Sequence, residues 1–363
     1  MRNDPSSTRP QADRRDAPAV PAGSGVSFIM PVLNEVDYLQ DAVASTLAQE
    51  VDGPIELVIA LAPSDDGTTE LAHRLAAQDD RITVVDNPAA DNPVGLNLAI
   101  RASQYPTIVR VDAHSELSPG YTMRAIETLD RTRAANVGGT MHAEGRTPFQ
   151  RAVAAAYNSK IGLGGGAYHG SGEESEAESA YLGVMRRAAI EEVGLFDETL
   201  RRGSDWEMNL RLRQAGYRVM FDPKLSVAYW PRESWIQLYR QFLATGRWRG
   251  ELVRRYGFRN STRYFAPPAL VVLLGAAALV ASLRVGGVVR GALAAVLSLV
   301  FVPVALYALV IAGFSAVQSA ASMRQKLWSL AVVPTMHVAW GAGFIVGVVR
   351  GARDTIDTSR VSR

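Results

Sequence analysis

Cysteine is absent from the 363 residues, which excludes disulfides, thiolate metal sites and cysteine nucleophiles. Acidic residues are scarce at one end of the chain, since 34 of the 36 precede Tyr264 and only Asp354 and Asp357 follow it. The first 24 residues lack the apolar run of a secretory signal. We therefore expect a flexible tail over residues 1–24, followed by a domain that stays in the cytosol.

Three long runs carry no charge at all, namely 264–283, 291–323 and 327–349. A helix that crosses a bilayer needs about 20 apolar residues. The sequence therefore predicts a membrane domain of about three helices over 264–350 and a short tail over 351–363. Three crossings would put the arginines of that tail outside, which the positive-inside rule opposes, so the topology of the last run stays open.

A basic segment precedes the first of these runs. Between Arg232 and Arg263 there are eight arginines and only two acids, Glu233 and Glu251. Aromatic residues such as Trp235 alternate with the arginines, which favours lipid headgroups over nucleic acid as the partner. We predict a basic amphipathic interfacial segment over 231–263 and a multi-pass protein of the cell membrane, with its soluble domain on the cytoplasmic side.

The soluble part shows four apolar strand patterns, each followed by a helical pattern. This order predicts an α/β fold with a mainly parallel sheet, which binds ligands beyond the carboxyl ends of its strands. The strands are predicted at 26–33, 55–61, 82–85 and 107–111, and the helices at 36–49, 68–78, 94–103 and 119–131.

Acidic residues stand at these strand ends and at a later helix start. Asp66 either caps a helix or contacts a ligand. Asp112 and His114 alternate, so in an extended segment they would face one side, where they could hold a divalent cation. Asp205 and Glu207 begin a helix, which they could cap, or one of them could remove a proton from a hydroxyl group.

Six ordered motifs together resemble the family 2 inverting glycosyltransferases with a GT-A fold, and within them the succinoglycan biosynthesis glucosyltransferase branch. The resemblance covers about residues 25–260 and implies a nucleotide-sugar-binding domain over 25–230. The motifs are Pro31-Val32-Leu33-Asn34-Glu35, Asp65-Asp66-Gly67-Thr68, Gly95-Leu96-Asn97, Asp112-Ala113-His114, Gly194-Leu195-Phe196-Asp197-Glu198 and Ser204-Asp205-Trp206-Glu207.

The resemblance implies a role for each matching residue. Pro31, Glu35 and Asp66 would hold the nucleotide, and Asp112 would bind the donor and the cation on its diphosphate. His114 replaces the second acid of the family motif; imidazole suits Mn²⁺ better than Mg²⁺, and either ion is a candidate. Asp205 would be the catalytic base, and Glu207 would orient the acceptor or cap the helix.

The family's product-gripping Gln-x-x-Arg-Trp motif is only partly present, because Ala244 stands where its glutamine would be. Arg247 and Trp248 are candidates for diphosphate or acceptor contacts, or they anchor an interfacial helix. This departure favours transfer of one sugar per encounter over polymer synthesis. The glycine-rich stretch 161–179, with His169, is interpreted as an acceptor-side loop.

These features predict a membrane-bound enzyme that moves one sugar from a nucleotide diphosphate sugar, by default a UDP-sugar, to a lipid-linked saccharide. Its role would be cell-surface polysaccharide or glycolipid assembly. The alternative is a polyprenyl-phosphate glycosyltransferase that makes a lipid-phosphate sugar donor.

Overall fold

A computed structural model describes residues 14–163, 173–257, 262–318 and 321–352. The described residues fall into two units. The first comprises 14–144 and 173–230, and the second comprises 145–163 and the described residues from 231 onward. Residues 145–163 lie within the predicted domain 25–230. In the structure they group instead with the apolar helices of the second unit.

The first unit is built on one sheet of nine strands among its described residues. The strand order is β3-β2-β1-β4-β8-β6-β9-β5, and β7 pairs with β9. The strands are β1 Val26–Val32, β2 Ile55–Leu61, β3 Ile82–Asp86, β4 Thr107–Arg110, β5 Ser115–Leu117, β6 Asn136–Ala143, β7 Ser175–Glu176, β8 Val184–Arg186 and β9 Val219–Tyr229.

The four strands predicted from the sequence form one half of this sheet. β1 pairs in parallel with β2 and β4, and β2 pairs in parallel with β3. Parallel strands covered on both faces are typically rich in apolar residues, and β1 and β2 are apolar apart from Ser27 and Glu56. The prediction of a mainly parallel sheet flanked by helices is confirmed.

The other half of the sheet is mixed. β8 runs antiparallel to β4 and β6, whereas β6 and β9 are parallel to each other. Because β8 runs antiparallel to β4, the residues that lead into β8, from about 180 onward, lie beside the carboxyl end of β4.

Helices cover both faces of the sheet. One core includes Leu39, Leu71 and Leu129, and the other includes Leu96 and Met208. The helices of this unit are α1 Leu39–Leu47, α2 Thr68–Gln78, α3 Asn92–Ala102, α4 Tyr121–Thr132, α7 Arg187–Glu192 and α8 Ser204–Gln214.

Two local predictions need correction. The first helix begins at Leu39 and not at Val36, because residues 34–38 form turns held by the next loop. Residues 14–17, assigned to a tail, pack on the domain: the amide of Arg15 donates to the Gly216 carbonyl at 3.0 Å, and Ala17 is buried. Polar composition suggested a solvated segment, but backbone hydrogen bonds fix this one.

The second unit is helical in its described residues. Three of its helical segments are long and apolar enough to cross a membrane: α10, α11 together with α12, and α13. Its helices are α5 Pro148–Tyr157, α6 Lys160–Leu163, α9 Trp235–Tyr256, α10 Ala266–Val285, α11 Gly291–Leu297, α12 Phe301–Ala316 and α13 Met323–Arg350.

Candidate active site

The loops that follow β1 and β2 are tied together. The amide of Asn34 donates to the hydroxyl of Ser64 at 3.1 Å, and the amide of Asp65 donates to the side-chain oxygen of Asn34, also at 3.1 Å. Asn34 has a φ of 52°, a left-handed conformation that asparagine tolerates better than most residues. The two loops therefore form one continuous surface at the carboxyl edge of the sheet.

Asp66 extends this connection. Its Oδ1 accepts hydrogen bonds from the amide and hydroxyl of Thr68, at 3.0 and 2.6 Å, and its Oδ2 accepts one from the amide of Val36 at 3.2 Å. The carboxylate thus positions both loops and not only the start of α2. Pro31 lies one residue before the end of β1 in the same region, and the nucleotide contacts of both residues stay predictions.

Arg110 joins the two carboxylates that the sequence singled out. Its Nε and Nη2 donate to Oδ1 of Asp112 at 3.2 and 2.9 Å, and its Nη1 donates to Oδ1 of Asp205. The Arg110 side chain is only 9% exposed, and a buried guanidinium needs such partners because desolvating an unpaired charge is costly. β4 and α8, 95 residues apart in sequence, are therefore linked by one side chain.

Asp205 lies in the first turn of α8, where free amide groups favour a negative charge. Burial raises the pKa of its carboxyl group above the ordinary value, the Arg110 cation opposes this, and the negative charge of Asp112 adds to it. The side chain is still 31% exposed. A carboxylate that is held in place, reachable and more basic than usual is suited to accept a proton.

Glu207 points to a different partner. Its side chain is 3% exposed, and its two oxygens accept hydrogen bonds from Nε and Nη2 of Arg211 at 2.6 and 2.7 Å. Arg211 also donates to the carbonyl groups of Val193 and Leu195. Leu195 has a φ of 59°, which is strained for a residue with a branched side chain. This arrangement favours a role for Glu207 in holding the 193–195 turn over a direct acceptor contact.

Asn97 holds the next part of the same loop. Its Nδ2 donates to the Phe196 carbonyl at 2.9 Å and to Glu198 at 2.8 Å, and its Oδ1 accepts from the Phe196 amide at 3.0 Å. The side chain is 2% exposed. The motif residues Asn97 and Phe196 thus support the loop that precedes α8.

His114 lies beside Glu35. Its Nδ1 is 3.2 Å from Oε1 of Glu35, whose carboxylate is 5% exposed, and its ring packs edge-on against Tyr229. Residues 111–114 form a turn and not a continuation of β4, so the expected strand alternation does not apply. Metal-binding histidines commonly turn one ring nitrogen towards a carboxylate and bind with the other.

A divalent cation at this site would need several oxygen or nitrogen ligands. Among the described residues, no group of three or more His, Asp or Glu side chains surrounds a common point. Asp112 and His114 offer one carboxylate and one imidazole, a pair that suits Mn²⁺. Two such residues would hold a cation only if its remaining ligands came from elsewhere, such as a bound diphosphate.

Arg247 and Trp248 lie on α9 in the second unit. Trp248 is 2% exposed, and Nε of Arg247 donates to the Gly351 carbonyl at 3.1 Å. The burial of Trp248 and the hydrogen bond of Arg247 favour a role in helix packing over the predicted acceptor and diphosphate contacts. Residues 164–172 of the glycine-rich stretch, including His169, lie outside the described residues.

Two residues at the site had no role assigned from the sequence. Arg110 could have been noticed as a charge at the end of a fully buried strand. Tyr181 lies near Asp112: burial raises the pKa of its phenol well above the ordinary range, and the Asp112 charge raises it further. Its position beside β4 depends on the antiparallel pairing of β8, which no local pattern predicts.

Comparisons with known proteins point to one enzyme family. A family model described as Glycosyl transferase family 2 matches residues 27–194. The succinoglycan biosynthesis protein ExoA of Rhizobium meliloti (strain 1021) is 32% identical over 324 residues, which cover 87% of this chain and 93% of that protein.

Two further relatives are more distant. A Methanococcus voltae protein, dolichyl N-acetyl-alpha-D-glucosaminyl phosphate 3-beta-D-2,3-diacetamido-2,3-dideoxy-beta-D-glucuronosyltransferase, is 22% identical over 69% of this chain and 80% of its own. The solved mannosyltransferase PcManGT from Pyrobaculum calidifontis, in complex with GDP-Man and Mn²⁺, superposes with a TM-score of 0.60 and 17% identity, covering 92% of this chain and 89% of that one. This likeness concerns the GT-A fold.

Proposed function

Because the chain belongs to the family 2 glycosyltransferases, we propose that it transfers one sugar, with inversion, from a nucleotide diphosphate sugar to a lipid-linked saccharide. The observation that supports this proposal is the Asp112–Arg110–Asp205 cluster, in which two carboxylates contact one buried guanidinium. Asp112 would face the donor and Asp205 would be the base. The product would enter cell-surface polysaccharide or glycolipid assembly; the Rhizobium relative is named for succinoglycan biosynthesis.

The donor would bind at the joined loops after β1 and β2. Asp66 and Asn34 fix these loops, and Pro31 and Glu35 lie beside them. A UDP-sugar is the donor proposed for the first test, with GDP-mannose beside it because a protein of similar fold holds that nucleotide.

Asp112 and His114 would hold a divalent cation, with Glu35 orienting the histidine ring. When bound, such a cation stabilises the negative charge that develops on the leaving diphosphate. Arg110 would hold the Asp112 carboxylate in place through its hydrogen bond.

Asp205 would act on the acceptor. Its carboxylate removes the proton from the acceptor hydroxyl while the hydroxyl oxygen forms a bond to the anomeric carbon. The bond from that carbon to the diphosphate breaks on the opposite face, and the nucleoside diphosphate leaves. A single displacement of this kind inverts the anomeric centre and needs no covalent intermediate.

The acceptor is proposed to be lipid-linked because apolar helices adjoin the catalytic domain in the chain. Few residues of α10 and of α11–α12 are buried against the rest of the described chain. The arginines between 232 and 263 would attract the phosphate of the carrier lipid on the cytoplasmic side. Confinement to one membrane surface raises the effective concentration of both partners.

The product distinguishes this function from its alternative. Purified full-length protein in detergent should release nucleoside diphosphate from one member of a nucleotide-sugar panel, with Mn²⁺ present, only when a lipid-linked saccharide is added. Mass spectrometry should show that saccharide one sugar longer. Equal release with bare polyprenyl phosphate, giving an acid-labile lipid-phosphate sugar, would replace the proposal with lipid-phosphate sugar synthesis. Asp205→Asn is the inactive control for transfer to a hydroxyl group.

The pH dependence of activity in a variant of Arg110 tests the role of Asp205 as the base. Burial raises the pKa of Asp205 and Arg110 lowers it, so removing the cation should raise that pKa further. A base works only when deprotonated, so the acidic limb of kcat/KM should move to higher pH in Arg110→Met.

Arg110→Lys, which keeps the charge, is the matched control and should move the limb less. The measurement is kcat/KM for nucleoside diphosphate release as a function of pH. An unmoved limb in Arg110→Met, with folded protein, would show that the limb does not report Asp205.

A further inference from the structure

The helix that carries Asp205, α8, has no single buried face. Seven of its eleven residues are buried, and their spacing places them on every side of the helix. The division between apolar and polar residues therefore cannot orient α8 by itself. A shift by one residue would move Asp205 about 1.5 Å along the helix axis and about 100° around it. Specific contacts must fix where this carboxylate lies.

A buried asparagine makes such contacts one turn beyond Asp205. Asn209 is 1% exposed and follows Asp205 by four residues, so both lie on the same side of α8. Its Oδ1 accepts a hydrogen bond from Nδ2 of Asn136 at 2.7 Å, and its Nδ2 donates to the hydroxyl of Ser179 at 3.2 Å. Asn136 begins β6, and Ser179 lies in the segment that leads into β8. Asn209 thus joins α8 to two other parts of the domain.

The surroundings of this amide pair are apolar. Ala135, beside Asn136, and Met208, beside Asn209, both belong to the core on one face of the sheet. Amide groups are costly to bury unless they are hydrogen-bonded. A buried polar contact that is satisfied in only one arrangement can therefore select one position of a helix where apolar packing would permit several.

Asn136 also touches the part of the chain that holds Arg110. Its Oδ1 lies against Gly183, where an added Cβ would come within 2.2 Å of that oxygen. The carbonyl of Gly183 accepts a hydrogen bond from the Arg110 amide at 3.2 Å. Asn136 therefore contacts both sides of the Asp205–Arg110 pair, α8 through Asn209 and the Arg110 backbone through Gly183.

We propose that the Asn136–Asn209 pair sets the position of Asp205 relative to Arg110, with Asn209 as a positioning residue for the catalytic base. The role of Asn209 rests on the proposed function, in which Asp205 is that base. Neither asparagine contacts the substrates; both act through the placement of α8. Without the pair, α8 would stay packed by its apolar residues but could shift, which would loosen the contact between Asp205 and Arg110.

Asn209→Leu tests the proposal, because leucine keeps the branched shape of asparagine and makes no hydrogen bond. Its kcat for nucleoside diphosphate release should fall by roughly 10- to 100-fold, since a misplacement of about 1 Å can cost a factor of 100. Its affinity for nucleoside diphosphate with Mn²⁺ should stay close to wild type. The acidic limb of kcat/KM should move to higher pH, because Arg110 lowers the pKa of Asp205 against the effects of burial and of Asp112.

Leu212→Val is the matched control, since Leu212 is fully buried on the same helix. It should lower the melting temperature and leave kcat and the acidic limb unchanged while the protein is folded. Asn136→Ala and the double variant with Asn209→Leu test the pair as a unit: the double variant should lose little more kcat than either single variant. If Asn209→Leu does not fold, Ser179→Ala, which removes one hydrogen bond of Asn209, should give a smaller fall in kcat and the same direction of shift.

Two results would overturn the proposal. One is a kcat and an acidic limb in Asn209→Leu that match wild type, or that move equally in Leu212→Val. The other is a double variant whose loss is the product of the two single losses. Asp205→Asn, measured in parallel, separates this outcome from the proposed function. An inactive Asp205→Asn beside a fully active Asn209→Leu refutes only the positioning role, whereas an active Asp205→Asn refutes the base itself.

Discussion

Asp205→Asn should lower turnover by a factor of roughly 100 or more while the affinity for the donor nucleotide stays nearly unchanged, the usual scale for loss of a general base. Asparagine has the size of aspartate and can still accept a hydrogen bond from Arg110, so the cluster should keep its shape. It cannot take a proton from the acceptor. Turnover at saturating substrates and donor affinity by calorimetry are the two measurements.

Glu207→Gln is the matched control because it changes the same atoms two residues further along α8. Its effect should be on stability, since Glu207 holds Arg211 and Arg211 holds the 193–195 turn. A hydrogen bond to a charged group is worth about 1.5–3 kcal/mol, so the melting temperature should fall while turnover per folded molecule stays close to wild type. A turnover in Asp205→Asn within a few-fold of wild type would remove it from the role of base, and equal losses in both variants would leave the base unassigned.

The parallel half of the sheet could be predicted because its signals are local. β1 is apolar apart from Ser27 and β2 is apolar apart from Glu56, and the motifs at their ends fall where parallel strands present ligands. The start of α1 could not be predicted, because it depends on the hydrogen bond between the Val36 amide and Asp66 in another loop.

The contact between Arg110 and Asp205 also could not be predicted from the sequence. Arg110 and Asp205 are 95 residues apart, and they meet because α8 packs on the face of the sheet that carries β4. Trp248 shows the reverse case. The Arg247-Trp248 pair resembles part of a family motif, yet the tryptophan is buried and its helix, α9, packs against α13. Helix packing over such distances has no signature in the spacing of a motif.

The second large effect is expected at Asp112. Asp112→Ala should almost abolish activity, because it removes the carboxylate that would bind the cation on the diphosphate and also one partner of the buried Arg110. Chelation of divalent ions should abolish wild-type activity, with Mn²⁺ restoring it at least as well as Mg²⁺. The readout besides turnover is Mn²⁺ affinity in the presence of nucleoside diphosphate, followed by the electron paramagnetic resonance signal of free Mn²⁺.

The variants of His114 then separate a ligand from a loop residue. His114→Ala should weaken Mn²⁺ binding and leave some turnover, since Asp112 and the diphosphate remain. His114→Asp supplies an oxygen ligand in place of nitrogen, so it should retain activity and shift the preference towards Mg²⁺. Glu35→Gln leaves the ring in place but weakens its orienting contact, so its Mn²⁺ affinity should lie between those of wild type and His114→Ala. Wild-type Mn²⁺ affinity in His114→Ala would mean that the imidazole only packs between Glu35 and Tyr229, and that Asp112 is the protein's contribution to the cation site.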